Sequence, residues 1–282
     1  MPRRVFGSGQ LTCLGDGSCP LGVSCNGEAP RCDIDCIGAD SCRAGALCNA
    51  GTCSLECDNT SCAGDVICAP ASSAGECEID CGLGSCLGDV SCEVSDGDCD
   101  IECLEPGACG GFVSCVTFGD GACSIDCGAD DTCANAVTCN SGNCEIDCDN
   151  DNVCLGSVSC SSDTGNCSVN CGSNVAGSCQ QSVTCDAESS CNITCNADQS
   201  CPSVQCTSGA DCTILCGGNA ACANFVTCDS GGACEIDCGG IGACDRAATL
   251  SCTAVQSCAI DCGANATCLG NAVCSPPGAA CP

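Results

Sequence analysis

The chain has 282 residues, of which 48 are cysteine and 37 glycine, with four phenylalanines and no tyrosine or tryptophan. This cysteine content exceeds the ~8–10% that marks a disulfide scaffold and indicates an oxidising compartment rather than the cytosol. The net charge of −31, from 36 acidic residues against five arginines, excludes nucleic acid as a partner because phosphate binding needs basic side chains.

Residues 1–12 are predicted to be an N-terminal lead-in. They begin Met1-Pro2-Arg3-Arg4, which looks like the charged start of a signal peptide but lacks the apolar run that should follow. Either the sequence begins after processing, or it is a fragment or an incomplete gene product. No stretch approaches the ~18 apolar residues of a membrane span.

Residues 13–282 are predicted to form one repeat domain. The consensus is C-x-I-D-C-G-x-x-x-[ST]-C-x-x-x-V-[ST]-C-x-x-G-x-C, and its first cysteine recurs every 21 to 24 residues. Those first cysteines are Cys32, Cys53, Cys77, Cys99, Cys123, Cys144, Cys167, Cys191, Cys212, Cys234, Cys258 and Cys281.

Two segments of each repeat alternate as β-strands do. In the segment from Cys144 to Cys148, the cysteines and Ile146 share one face, while Glu145 and Asp147 share the other. The isoleucine position stays apolar throughout, as Leu11, Ile34, Leu55, Ile79, Ile101, Ile125, Ile146, Val169, Ile193, Ile214, Ile236 and Ile260. The valine position holds Val23, Ala46, Val66, Val90, Val113, Val137, Val158, Val183, Val204, Val226, Leu250 and Ala272.

An apolar column that repeats once per turn predicts an all-β fold, a parallel β-solenoid of about 12 turns with a cystine-filled core. A turn of this length resembles the right-handed β-helices of the pectate-lyase type, and the disulfide-filled interior resembles the beetle antifreeze solenoids. The alternative is a string of small disulfide modules like EGF repeats. A left-handed (αL) turn is expected at the residue after the second cysteine of the consensus, as at Gly82, Gly128, Gly172, Asn196, Gly217 and Gly263.

The cysteines fall into twelve complete sets of four, from Cys13, Cys19, Cys25 and Cys32 through Cys262, Cys268, Cys274 and Cys281. This predicts disulfides closed within each set, with three connectivities open. Metal–thiolate sites are the alternative, since four thiolates can hold zinc. Against them stand the absence of histidine, the lack of C-x2-C knuckles, and the repulsion between charged sites stacked about 4.8 Å apart.

Acidic residues recur on the outward face of the first strand of each repeat, and they predict calcium binding. Like charges on adjacent strands repel, and calcium accepts carboxylate oxygens as ligands. The alternative is a solvated acidic face that binds nothing specific. The predicted calcium ligands are Glu78, Asp80, Asp96, Asp98, Asp100, Glu102, Glu145 and Asp147. No other cofactor is expected.

Catalysis is not expected, because without histidine or lysine only carboxylates, thiols and arginines remain for acid–base work. Ice binding is a weaker alternative, since the hydroxyl column that includes Ser91, Ser114 and Thr138 is single and is interrupted by Leu47, Ile67, Gln205 and Val273. Asn-x-Ser/Thr sequons would accept glycans in a eukaryotic secretory pathway, and they lie at Asn59, Asn166, Asn192 and Asn265.

The sequence therefore predicts a non-catalytic, secreted or cell-surface structural protein, a subunit of a filament, appendage, coat or adhesive stalk. The repeat starts within the first dozen residues and stops at Cys281-Pro282, so open ends suited to head-to-tail self-assembly are expected. Another extracellular structural protein could be the partner instead, and a calcium-binding adhesin is the main functional alternative. The chain could equally be one segment of a longer protein.

Overall fold

A computed structural model of the chain describes residues 3–5, 9–26, 29–70, 75–172, 177–245, 247, 249–263 and 272–275. The fold is an all-β parallel β-solenoid of about 11 turns, which confirms the predicted fold class. Of the twelfth cysteine set, Cys268 and Cys281 lie outside the described residues. The chain divides into two compact units, Met1–Asn143 (unit 1) and Cys144–Pro282 (unit 2).

Each unit contains two parallel sheets, which we name the valine sheet and the isoleucine sheet after the consensus residue that each buries. In unit 1 the valine sheet comprises β1 (Arg3–Val5), β3 (Val23–Asn26), β5 (Ala46–Asn49), β7 (Val66–Cys68), β9 (Val90–Val94), β11 (Val113–Thr117) and β13 (Val137–Asn140). Its isoleucine sheet comprises β2 (Gly9–Leu14), β4 (Cys32–Ile37), β6 (Cys53–Cys57), β8 (Cys77–Cys81), β10 (Cys99–Glu102) and β12 (Ala122–Asp126). Strand pairing thus already includes β1 and residues 9–12 of β2, within the predicted lead-in.

Unit 2 repeats the same arrangement. Its isoleucine sheet comprises β14 (Asn143–Cys148), β16 (Cys167–Cys171), β18 (Cys191–Thr194), β20 (Cys212–Leu215), β22 (Ala233–Asp237) and β24 (Ser257–Asp261). Its valine sheet comprises β15 (Val158–Ser162), β17 (Ser182–Ala187), β19 (Ser203–Ser208), β21 (Phe225–Ser230), β23 (Thr249–Ala254) and β25 (Ala272–Ser275).

Identical consensus positions stack on each other within each unit. Ile79 pairs with Ile101 and Ile101 with Ile125, and Val183 pairs with Val204 in the same way. A period-2 strand sends these residues inward and their neighbours outward. The isoleucine column is accordingly at most 6% exposed, from Leu11 to Ile260.

The disulfides are closed within the predicted sets, and the structure selects one of the three connectivities. In the first set Cys13 bonds Cys19 and Cys25 bonds Cys32. The same neighbour-to-neighbour pairing recurs along the described turns and spans only 5 to 9 residues of sequence. None of the cysteines that the structure describes is free. Cystine therefore fills much of the core, beside the isoleucine and valine columns and a few further apolar side chains such as Val94, Val153 and Ala108.

Most of the residues predicted to be left-handed are not. Gly172 and Gly263 do have positive φ angles, of +72° and +58°, but Gly82, Gly128, Asn196 and Gly217 do not. Two other positions recur in the left-handed region instead. One is the third consensus cysteine, with φ of 46° at Cys42 and 56° at Cys244, and the other is the residue two before it, as at Asp40 and Ala220. This conformation costs an L-residue roughly 1–2 kcal/mol, and the short cystine loop holds it in place.

The consensus glycine two residues before the first cysteine allows one turn to lie directly on the next. A Cβ atom on Gly97 would overlap the carbonyl oxygen of Gly75, and one on Gly121 would overlap that of Gly97. A side chain at either of these glycines would have to push neighbouring backbones apart. Close approach therefore favours glycine at this corner in these turns, whatever its φ angle.

Candidate functional site: the acidic ladder of unit 1

An unbroken column of carboxylates runs along the outward face of the isoleucine sheet in unit 1. Asp35, Glu56, Asp80, Glu102 and Asp126 are successive partners on β4, β6, β8, β10 and β12. We call these five residues the acidic ladder. Adjacent rungs are about 4.8 Å apart, at which distance two unit charges repel by between about 1 kcal/mol in water and about 4 kcal/mol at a dielectric constant near 20.

The structure brings four of the predicted calcium ligands together. Glu78 is the partner of Asp100, and Asp80 is the partner of Glu102. Each pair lies on neighbouring strands, β8 and β10, so a 2 × 2 arrangement of carboxylates stands on one face. Four of the eight predicted ligands therefore form one cluster within unit 1.

Asp96 and Asp98 lie in the turn before β10 rather than on the sheet face. The carboxylate of Asp98 accepts a hydrogen bond from the backbone N–H of Ala122 at 2.9 Å, so this residue links its own turn to the next. Asp89 does the same for the N–H of Phe112 at 3.0 Å. Part of the acidic content therefore satisfies backbone donors between turns.

Glu145 and Asp147, the remaining predicted ligands, belong to β14 in unit 2. Glu145 has Ser168 as its partner, and Asp147 has Asn170, whose side-chain amide donates to the Asp147 carboxylate at 2.9 Å. Along this outward column the residues after Asp147 are Asn170, Thr194, Leu215, Asp237 and Asp261. The continuous carboxylate column is thus a feature of unit 1, because in unit 2 three successive neutral residues, Asn170, Thr194 and Leu215, interrupt it.

Three rungs of the ladder, Asp35, Glu56 and Asp126, are not among the predicted calcium ligands. Glu56 and Asp126 occupy the consensus aspartate position, three residues after the first cysteine, in Cys-Ser-Leu-Glu-Cys and Cys-Ser-Ile-Asp-Cys. Ser54 and Ser124 stand at the neighbouring outward position, so these two strands lack the pair of acidic residues that marks the predicted ligands. The signal that identifies Glu56 and Asp126 is a single acidic position that recurs from strand to strand.

A shallow acidic groove of about 360 Å³ lies beside the ladder at the beginning of the isoleucine-sheet strands. Its carboxylates come from Glu76, Glu78, Asp98 and Asp100, and Arg31 stands among its lining residues. The guanidinium of Arg31 is 2.8 Å from the carboxylate of Asp33. Four acidic side chains therefore share the groove with one arginine, which is already paired outside it.

The pKa values of three ladder carboxylates are raised. For Glu102, partial burial raises the pKa most, followed by the charges of Asp100 and Asp80. For Glu56 the order is partial burial, then Asp35 and Asp80. Burial again comes first for Asp80, whose pKa is also raised by Asp58 and Glu105. The charged form is disfavoured at these three residues, and either protons or a cation would relieve this.

Triads of cysteine sulfur atoms in the core are close enough to resemble a metal cluster. Those of Cys36, Cys57 and Cys62 lie within 4.8 Å of one another. Each of the three is bonded in a cystine, to Cys42 for the first and as one bridge for the other two. Since metals bind the thiolate form, these triads are stacked cystines rather than a ligand set.

The hydroxyl column of the valine sheet is interrupted as the sequence predicted. In unit 1 Ser24 is followed by Leu47 and Ile67 before Ser91 appears. Of the sequons, Asn59 and Asn192 are exposed. Asn166 is also exposed, but its carbonyl oxygen accepts hydrogen bonds from Ser190. Asn265 lies outside the described residues.

Within the described part of the chain, no helix is long and apolar enough to cross a membrane. The many disulfides indicate an oxidising, non-cytoplasmic location. No protein-family model, no curated protein and no solved structure matches this chain, so its resemblance to known β-helices is one of architecture alone.

Proposed function

We propose that this chain is a non-catalytic extracellular structural protein that serves as a building block of a surface filament, appendage, coat or adhesive stalk. The observation that carries the proposal is the covalent closure of turn after turn by short-range cystines. Such closure stabilises each turn separately. The cystines persist in an extracellular, oxidising environment, where no cellular reductant cleaves them.

The distribution of chemistry along the chain supports a structural role. Carboxylates recur on successive turns, as in the acidic ladder, whereas an active site needs a unique arrangement in a cleft. Stacked turns with a common register provide length and stiffness instead. Parallel sheets can also add strands from a second copy edge to edge, which makes self-association the favoured mode of assembly.

Sedimentation velocity and electron microscopy of the oxidised chain test this proposal. We expect linear assemblies whose size increases with protein concentration, and we expect native material to be recovered from the extracellular fraction. A monodisperse monomer at high concentration, with and without calcium, would contradict the assembly. Recovery of the native chain from a reducing cytosolic fraction would contradict its location.

A calcium-binding adhesin is the second candidate, and the acidic ladder favours it. Carboxylates at every rung, with raised pKa values at Glu56, Asp80 and Glu102, store a repulsion that a divalent cation would remove. Calorimetric titration of calcium into the wild-type chain and Glu102→Gln tests this. Glu93→Gln is the matched control, because Glu93 is an exposed carboxylate on the valine sheet of the same unit. Equal calcium binding by wild type and both variants would rule out a ladder site.

A further inference from the structure

We propose that the outward face of the valine sheet in unit 1 binds the same face of a second copy of this chain. This contact rests on the proposed self-association and gives it a lateral form, between sheet faces rather than by strand addition at an edge. We call this surface the neutral face, and it comprises the outward positions of β3, β5, β7, β9, β11 and β13. Its first outward column consists of Ser24, Leu47, Ile67, Ser91, Ser114 and Thr138.

The neutral face carries little charge in a strongly acidic chain. Its first column contains no ionisable side chain, and its second contains one, Glu93, beside Asn26, Asn49, Val116 and Asn140. The isoleucine sheet of the same unit carries the acidic ladder and, next to it, Asp33, Glu78 and Asp100. Two copies with a net charge of −31 each repel one another, so they approach most easily through the neutral face.

Strand β11 gives the neutral face an exposed apolar strip. Phe112, Ser114, Val116 and Phe118 alternate with buried residues at positions 113, 115 and 117, so all four point outward. Phe112 is 56% exposed and Phe118 is 70% exposed, although the chain has only four phenylalanines. Apolar side chains exposed together along one strand mark an interaction surface.

Backbone hydrogen bonds to the preceding turn fix both ends of the strip. The carbonyl of Phe112 accepts a hydrogen bond from the N–H of Val90 at 2.8 Å, and the N–H of Phe118 donates to the carbonyl of Val94 at 3.1 Å. The backbone that carries the two rings is therefore ordered before binding, which lowers the entropic cost of association.

Aliphatic side chains extend the apolar surface towards β3. Leu47 and Ile67 are partners on β5 and β7, and with Leu21, which is 59% exposed, they line a shallow groove of about 320 Å³. Asp65 also lines this groove, and its carboxylate accepts a hydrogen bond from the N–H of Asp89 at 3.1 Å. Apolar side chains thus stand on β5, β7 and β11 of one face.

A second copy is the occupant that these features favour. A basic partner would be attracted to the isoleucine sheet instead, and an acidic partner would be repelled. In a two-fold contact that reverses the strand direction, β11 lies on β11, and Phe112 of each copy faces Phe118 of the other, because Cys115 is at the centre of the strand. On β9 the same contact sets Glu93 opposite Ser91, so the two Glu93 carboxylates do not meet.

The size of the neutral face predicts a weak dimer. Six strands about 4.8 Å apart and up to about 20 Å long cover roughly 500 Å² on each copy. Two such faces would bury about 1,000 Å², which is the lower limit for a specific interface. We therefore expect dimers that form at high protein concentration and dissociate on dilution.

Sedimentation velocity of the full oxidised chain over a range of concentrations tests the contact. We expect Phe112→Ser and Phe118→Ser each to raise the dimer dissociation constant by about tenfold or more. Phe225→Ser is the matched control and should stay within about twofold of wild type. Phe225 also precedes a valine of the valine sheet and is 45% exposed, but Thr227 and Asp229 follow it on the outward side in place of an apolar strip. Raising the ionic strength should strengthen the wild-type dimer, because salt screens the repulsion between the copies.

Dimers of equal strength in wild type, Phe112→Ser and Phe118→Ser would overturn the contact, and so would an equal loss in Phe225→Ser. Binding of wild type but not Phe118→Ser to phosphatidylcholine vesicles, without dimers, would assign the face to a lipid surface and overturn it too. Circular dichroism of each oxidised variant checks that the fold is retained.

Electron microscopy of the same proteins separates this contact from head-to-tail assembly. Linear assemblies with dimers unchanged in Phe118→Ser would contradict only the lateral contact. Dimers that Phe118→Ser abolishes, without linear assemblies in wild type, would contradict only the head-to-tail assembly. Wild-type monomers at every concentration would contradict both.

Discussion

Adjacent glycines in one turn of unit 2 differ in what surrounds them, and this gives the sharpest residue-scale prediction. A Cβ atom on Gly240 would overlap the carbonyl oxygen of Gly218, whereas one on Gly239 would meet only the side-chain oxygen of Asp237 at 3.3 Å. We expect Gly240→Ala to lower the free energy of unfolding by about 1–3 kcal/mol, as overpacking does. Gly239→Ala should be neutral, or stabilise by up to about 1 kcal/mol by restricting the unfolded chain.

Urea unfolding of the two oxidised variants measures this difference. The two positions are neighbours and the substitution is the same, so composition and charge cancel in the comparison. Equal stabilities of Gly239→Ala and Gly240→Ala would contradict the close stacking of turns at this corner.

Partial burial of Glu102 and the repulsion from neighbouring carboxylates should make unit 1 more stable as the pH falls towards the ordinary pKa of carboxylates. The pKa of Glu102 is raised above 4.5 in the folded chain, so the folded state holds this proton more tightly than the unfolded state does. The free energy of unfolding then decreases as the pH rises from about 4.5 through the folded pKa, and it is lowest above both values.

Glu102→Gln isolates this effect. In a calcium-free chelating buffer at pH 7 we expect the variant to be more stable than wild type by a few tenths of a kcal/mol, up to about 1 kcal/mol. The difference should disappear below about pH 4, where the wild-type carboxylate is protonated. Thermal unfolding across this pH range measures it, and a variant that is less stable than wild type at pH 7 would contradict the repulsion.

At the scale of the element, the repeated unit is a cystine that closes onto a left-handed cysteine. The bridge between Cys238 and Cys244 spans six residues, and Cys244 has φ of 56°. Removing both sulfurs by Cys238→Ala with Cys244→Ala should cost about 2–4 kcal/mol. Cys238→Ala with Cys244→Gly should recover about 1 kcal/mol of this, because glycine adopts the left-handed conformation without strain.

The pair of double variants separates the crosslink from the backbone strain. Denaturant unfolding of both proteins, with the remaining bridges confirmed by intact mass, provides the measurement. If the glycine variant is no more stable than the alanine variant, the left-handed cysteine does not carry the strain assigned to it.

The strands and the sets of cysteines could be predicted because they depend on alternation and counting. Alternation predicts that Ile146, between two cysteines, is buried, and in the structure it is buried. The connectivity could not be predicted, since each set allows three pairings and only the backbone path brings Cys13 beside Cys19. The left-handed cysteines were missed because φ follows from ring closure by the bridge rather than from the preference of the residue.

The candidate sites were only partly predictable for a related reason. Glu78 and Asp100 share a sheet position by consensus register, so their contact followed from the sequence. Glu56 and Asp126 were not predicted as ligands, because serine stands at the neighbouring outward position of their strands and the acidic pair is missing there.

At the scale of the whole molecule, the cystines decide whether the chain folds. Besides its sulfurs, a turn buries one residue of the isoleucine column, one of the valine column and at most a few small side chains such as Ala108. This is little apolar area against the conformational entropy lost when every residue of the turn is ordered. Crosslinks that restrict the unfolded chain are therefore needed for folding.

Reduction of the native chain should therefore unfold both units. We expect the β-sheet signal in far-ultraviolet circular dichroism to be lost in excess reductant at 25 °C, and to return after dilution into a redox buffer that permits disulfide exchange. Alkylation of the reduced chain before reoxidation is the control, because it should block recovery. A β-sheet signal that survives complete reduction, with every thiol shown to be free by mass, would mean that the aliphatic columns and the stacked backbone are sufficient by themselves.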